Sequence, residues 1–165
     1  MKRTLAAATA AAVLLASAGT GTLAWALTHD ADGSQLPEIS AYTRGQLARV
    51  GPFLYCNVLD LNDCETPESQ GQLRVDERSP VQLSVPQAIA SAPWRLMQVY
   101  EDAENTAVST FRPDTRLAVT IPTEDPQRGR LTGLAVQLLT LVTDETGEIR
   151  EVPHAEWSIG LVWDH

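Results

Sequence analysis

The chain has 165 residues, 44% of them hydrophobic and 20% charged, with a formal net charge of −9. That apolar share argues against a wholly disordered chain, and the acidic excess argues against nucleic-acid binding, which needs a basic surface. With Lys2 and Arg3 set aside, every remaining basic residue is an arginine and the net charge falls to −11.

The N-terminus begins with Lys2 and Arg3, followed by an Ala-rich uncharged stretch from Leu5 to Ala18 centred on Val13, Leu14 and Leu15. Ala24-Trp25-Ala26 fits the small-x-small rule for signal cleavage, and the first acidic residue is Asp30. Residues 1–26 therefore read as a signal peptide or a membrane anchor, with the domain exported and the N-terminus inside. Both readings stay open, because Leu5–Leu27 is long enough to span a bilayer if uncleaved. No Cys follows the apolar run, so a lipoprotein anchor does not fit. Residues 27–38 read as a linker, and residues 39–165 as one domain large enough for a full hydrophobic core.

From there the dominant signal is alternation of apolar and polar residues, the period of a half-buried strand. Candidate strands are Ala41–Leu47, Val50–Val58, Gln72–Val75, Val81–Val85, Trp94–Tyr100, Thr106–Phe111, Leu117–Ile121, Leu134–Val142 and Ala155–Trp163. The last is the best patterned: Ala155, Trp157, Ile159, Leu161 and Trp163 share one face against Glu156, Ser158 and Gly160. Pro80, Pro122, Gly129 and the Asp144–Gly147 run mark turns, and Gln87–Ser91 between two prolines fits a single helical turn. The predicted fold is all-β, an antiparallel immunoglobulin-like β-sandwich after an N-terminal apolar segment. Its core is expected to be filled by Trp94, Tyr100, Leu134, Leu138, Trp157 and Ile159.

Cys56 and Cys64 are the two cysteines, and in an exported chain such a pair is expected to form a disulfide. They are too close in sequence to bridge two sheets as in an immunoglobulin domain, so the bond would staple a loop or hairpin. Closing so short a loop stabilises by roughly 2–3 kcal/mol. A zinc site would need two more ligands, and His29, His154 and His165 show no metal-ligand spacing.

Other chemistry finds few residues. No Gly-x-Ser-x-Gly is present, and His154, with Glu156 two residues on, is the one base–carboxylate pair within reach of a catalytic role. The bland expectation is a solvent-facing, unpaired histidine at a strand start. Asp60, Asp63, Glu65 and Glu68 cluster around the cysteines. Asp60 and Asn62 begin like a calcium loop, but Glu65 stands where that loop needs glycine and Gly71 where it needs a bidentate Glu. Gly129, Gly133 and Gly147 sit singly, which suits turns or bulges rather than a phosphate cradle. No motif points to a cofactor or a metal.

Several segments taken in order resemble a known family: Cys56-Asn57-Val58, Asp60-Leu61-Asn62, Cys64, Ser84-Val85-Pro86, Ala92-Pro93-Trp94, Tyr100, Val136-Gln137-Leu138 and Glu156-Trp157-Ser158. They are similar to an actinobacterial family of exported proteins known as a domain of unknown function, DUF2771. The resemblance covers about residues 38–163 and implies export to the envelope of mycolic-acid-type bacteria. It brings no catalytic residue, cofactor or substrate. The expected function is a non-enzymatic cell-envelope module that binds a protein or serves a larger machine. The alternative is a lipid or glycan carrier, which requires a cavity between the sheets or an aromatic-lined groove. A third is a small hydrolase using His154. The partner would be an envelope protein or lipid, with membrane contact only through the N-terminal segment.

Overall fold

The computed structural model describes residues 36–164, so the leader and most of the linker lie outside the described residues. Twelve strands follow in order: β1 Ile39–Thr43, β2 Gln46–Val50, β3 Leu54–Asn57, β4 Asp60–Glu65, β5 Gln70–Val75, β6 Val81–Ser84, β7 Trp94–Tyr100, β8 Ala107–Phe111, β9 Ala118–Ile121, β10 Glu124–Asp125, β11 Gly129–Thr143 and β12 Ile149–Trp163. A helical turn, α1 Gln87–Ala90, follows Pro86, and a 3-10 turn spans Ala103–Asn105. Among the described residues no helix is long and apolar enough to cross a membrane.

The strands form a small sheet in the order β2-β1-β6-β9 and a large one in the order β4-β3-β12-β11-β7-β8. β10 adds to β11, and β5 adds to β12. The small sheet is antiparallel throughout. The large sheet departs once from the antiparallel expectation: β5 runs parallel to β12 from Ser158↔Gln70 to Trp163↔Val75. One edge of β12 is thus shared, with β3 beside Ala155 and Glu156 and β5 beside Ser158 onward.

Side chains from both sheets meet in one core. Ile39, Val81, Leu83 and Ile121 come from the small sheet; Leu96, Leu134, Val136, Trp157 and Ile159 come from the large one. The expected odd-numbered face of β12 is buried from Ala155 to Leu161. Trp163 differs from the expectation of a core residue, being half-buried. Its Nε1 donates to the Leu131 carbonyl at 2.9 Å, and the Arg130 guanidinium lies 4.7 Å from its ring. α1 tucks Ile89 and Ala90 into the same core.

Two predicted strands divide. Ala41–Leu47 is interrupted by a two-residue turn at Arg44 (φ 51°) and Gly45 (φ 75°), which joins β1 to β2. Positive φ at both central residues is the hairpin turn whose twist matches its strands. Arg44 occupies a left-handed conformation that a side chain disfavours, and its guanidinium is held there by Asp76 and Asp164. Val50–Val58 breaks at Gly51-Pro52, since proline has no N–H for a ladder. Conversely, Asp60–Glu65, which is not among the candidate strands, forms β4, so of the loop or hairpin expected around the cysteines it is the hairpin that forms.

Candidate functional site

The residues singled out from sequence gather at the β3–β4 hairpin and the adjoining part of β12. After Pro52, the Phe53 N–H donates to the Glu156 carbonyl at 2.7 Å, which docks β3 on β12 with Tyr55 opposite Ala155. β3 then turns back into β4, and Cys56 stands directly opposite Cys64. The two form the expected disulfide, which staples this hairpin. Cys56 is buried and Cys64 exposed.

The β11–β12 ladder pairs Leu138 with Ala155 and Leu139 with Pro153, so His154 is the extra residue of a β-bulge. A bulge re-aims the side chain it carries, and it is one of the few places in a sheet that accommodate a proline such as Pro153. The expectation of a solvent-facing, unpaired His154 is therefore corrected. The ring is half-buried, its Nδ1 lies 3.2 Å from the Cys56 carbonyl oxygen, and Tyr55 packs edge-on at 6.2 Å. A carbonyl oxygen only accepts, so Nδ1 carries the hydrogen and neutral His154 keeps Nε2 as its acceptor. Glu156 is engaged elsewhere, accepting from Gln137 Nε2 at 2.8 Å. Among the described residues no carboxylate is hydrogen-bonded to His154 to orient it as a general base is oriented.

His154, Tyr55, Asn57, Val58, Asp63 and Glu65 line an open depression of about 430 Å³ beside the disulfide. The expected calcium-like residues serve local structure: Asp60 Oδ1 accepts from the Asn62 N–H at 3.0 Å and from its side-chain amide at 3.2 Å. Among the described residues no group of three His, Cys, Asp or Glu side chains converges for a metal ion.

Sequence reading missed two other surfaces. A trough of about 280 Å³ on the large sheet is lined by Gly133, Ala135, Ser158, Gly160, Val99 and Gln70, among others. Gly133 sits at the register shift between β11 and β7, as a bulge glycine would, and also pairs with Gly160. The Ser158 hydroxyl in this trough is buried and has no hydrogen-bond partner among the described residues. A second depression, of about 250 Å³, lies among Asp76, Glu77, Arg78, Arg130, Trp163 and Asp164. Its charges are largely committed, Arg130 to Glu77 and Arg44 to both Asp76 and Asp164. Both surfaces join strands distant in sequence, so only the two small residues Gly133 and Gly160 could have signalled the trough.

The profile of the family described as "Protein of unknown function (DUF2771)" matches residues 32–162. Uncharacterised proteins of Mycobacterium bovis and Mycobacterium tuberculosis are each 63% identical over 163 residues, covering 99% of this chain and 100% of the relative. No solved structure matches. Matched over most of its length, and with mycobacterial relatives of the same extent, the chain belongs to the DUF2771 family of actinobacterial proteins.

Proposed function

We propose that the protein is exported and acts in the cell envelope as a non-enzymatic protein-binding or accessory module, built on an immunoglobulin-like sandwich. The observation that carries this reading is the filled interior: Trp94, Tyr100, Leu134, Leu138, Trp157 and Ile159 are each at most 4% exposed. A carrier would hold its cargo in that space, in a cavity of roughly 300 Å³ or more. With these side chains occupying it, recognition falls to the outer surface. The disulfide supports the compartment, since such bonds persist where the surroundings are oxidising. The non-enzymatic part rests on Glu156, which accepts from Gln137 and not from His154. Crosslinking in intact cells followed by mass spectrometry tests the reading. A reproducible protein adduct is expected, and adducts to lipid or glycan alone would overturn it.

The outer trough favours a second reading, a lipid or glycan binder. Its floor of Gly133, Ala135, Ser158 and Gly160 is built from small side chains, which lets a flat or extended ligand approach the backbone. Native mass spectrometry of envelope-derived protein distinguishes the two: a co-purified ligand whose loss follows Gly160→Leu selects this reading.

A further inference from the structure

Large apolar side chains stand exposed at one end of the large sheet. Leu59 is 92% exposed and Val58 52% at the tip of the β3–β4 hairpin, while Leu141 and Ile149 are 66% and 67% exposed near the tip of the β11–β12 hairpin. The register brings these tips to the same end. β3 runs antiparallel to β12 with Tyr55 opposite Ala155, so residues 57–59 head along residues 153–151. Leu141 pairs with Glu151 on the other side of β12, and Ile149 pairs with Thr143. With strands about 4.8 Å apart, the two tips lie within roughly 10–15 Å of each other.

Both tips are held in shape. The disulfide clamps the first, and the Asn57 side chain accepts from the Leu59 N–H at 3.0 Å. In the second, Asp144 Oδ1 accepts from the N–H groups of Thr146 and Glu148 and from the Thr146 hydroxyl. Apolar side chains presented on pre-ordered turns lose little entropy when covered. The charge around them is one-sided. Arg150 is tied to Asp144 and Glu148, and Arg95 to Glu151. Asp60, Asp63, Glu65 and Glu145 are in no ion pair among the described residues.

We propose that this end is a docking surface for a protein partner whose apolar socket is ringed by Lys and Arg. The inference rests on the binding-module reading above and names its surface. Charge complementarity selects the occupant. A second copy would bring the same carboxylates face to face, and an anionic bilayer would repel them. A basic rim would both attract this end and satisfy its unpaired carboxylates, leaving Leu59, Leu141 and Ile149 to enter the socket.

The test pans the full, oxidised protein against a displayed library of random dodecapeptides and measures the enriched peptides on variants. Enriched sequences should carry one or two large apolar residues flanked by Lys or Arg. Leu59→Ser and Leu141→Ser should each weaken their binding about tenfold or more, the scale of burying one such side chain. The triple change Asp60→Asn, Asp63→Asn, Glu65→Gln should weaken binding and flatten its salt dependence. Leu47→Ser, at an exposed leucine on β2 of the other sheet, should have no effect. Circular dichroism and unfolding midpoints check that each variant is folded, and the charge variant carries the test if a leucine variant is not. Enriched peptides indifferent to both tips overturn this surface but leave the binding-module reading standing. Failure to enrich any sequence family overturns the proposal too, while in-cell crosslinking still decides the module reading separately. Binding instead to phosphatidylcholine or phosphatidylglycerol vesicles, lost in Leu59→Ser, overturns it in favour of a membrane.

Discussion

At the scale of single residues, the two buried tryptophans are in different states. Trp157 is fully buried, its Nε1 donates to the Pro37 carbonyl at 2.7 Å, and Tyr55 meets it edge-on at 6.1 Å. Trp94 is equally buried and stacks on Phe111 at 4.3 Å, but among the described residues its Nε1 has no partner. Trp157→Ala should cost about 3–5 kcal/mol in urea unfolding, the range for removing a buried large aromatic. The milder Phe substitution separates the two sites. At Trp157 it leaves the Pro37 carbonyl unpaired, whereas at Trp94 it removes an unsatisfied donor, so Trp94→Phe should cost less. Equal losses would mean that the Trp157 hydrogen bond contributes nothing. Gly71 offers a different kind of check. A Cβ there would lie 2.4 Å from Val50 Cγ2, far inside contact distance. Gly71→Ala should destabilise by roughly 1–3 kcal/mol, the cost of overpacking. Adding Val50→Ala should then cost less than it does in the wild-type chain, because the clash goes with the methyl groups.

At the scale of elements, β4 depends on the disulfide more than any other strand does. Among the described residues it pairs only with β3, nearly all its residues are exposed, and β3 itself meets β12 through two residue pairs. Replacing Cys56 and Cys64 together by Ser should lower global stability by about 2–3 kcal/mol, from the loop entropy alone. Locally the effect should be larger in kind: amide exchange across residues 60–65 should accelerate strongly while the β11–β12 ladder stays protected. Uniform acceleration would place β4 within the cooperative core. The β11–β12 turn carries a pH signature. The Thr146 hydroxyl, the Glu148 N–H and the Arg150 guanidinium hold the Asp144 carboxyl below its ordinary range. A carboxylate depressed in the folded state stabilises the turn above its unfolded value, near pH 4, and loses that contribution as pH falls through the lower folded value. An NMR titration should therefore find Asp144 among the last carboxyls to protonate. In Asp144→Asn the acid-induced loosening of residues 143–149 should be absent. A titration at or above the ordinary value would contradict the hydrogen bonding seen in this turn.

At the scale of the whole molecule, the described residues, 36–164, form one compact unit. A chain starting at Leu36 should keep the β-rich circular dichroism, the oxidised cysteines and the unfolding midpoint of the longer form, since Pro37 is retained to accept from Trp157. A collapse of stability would mean that the leader contributes to the core. What sequence alone determined is what alternation and local chemistry encode. The buried face of β12, the core tryptophans, the Asp144–Gly147 turn, the helical turn after Pro86 and the pairing of Cys56 with Cys64 were all legible, because each is decided by residues close together in the chain. The pairing partners were not. Nothing in Gln70–Val75 says that it runs parallel to β12, and Asp60–Glu65 is not among the candidate strands, yet the disulfide and β3 hold it as one. Gly45 is a usual hairpin-turn residue, but Arg44 stands where such a turn favours Asn, Asp or Gly, and it is held in place by Asp76 and Asp164 from far along the chain. His154 shows the limit most plainly. Its spacing from Glu156 is a local fact, but the bulge that turns it toward Cys56 arises from the register between β11 and β12. Side-chain period is local, whereas register, strand direction and the partner of a polar group are set by contacts that form only when distant segments pack.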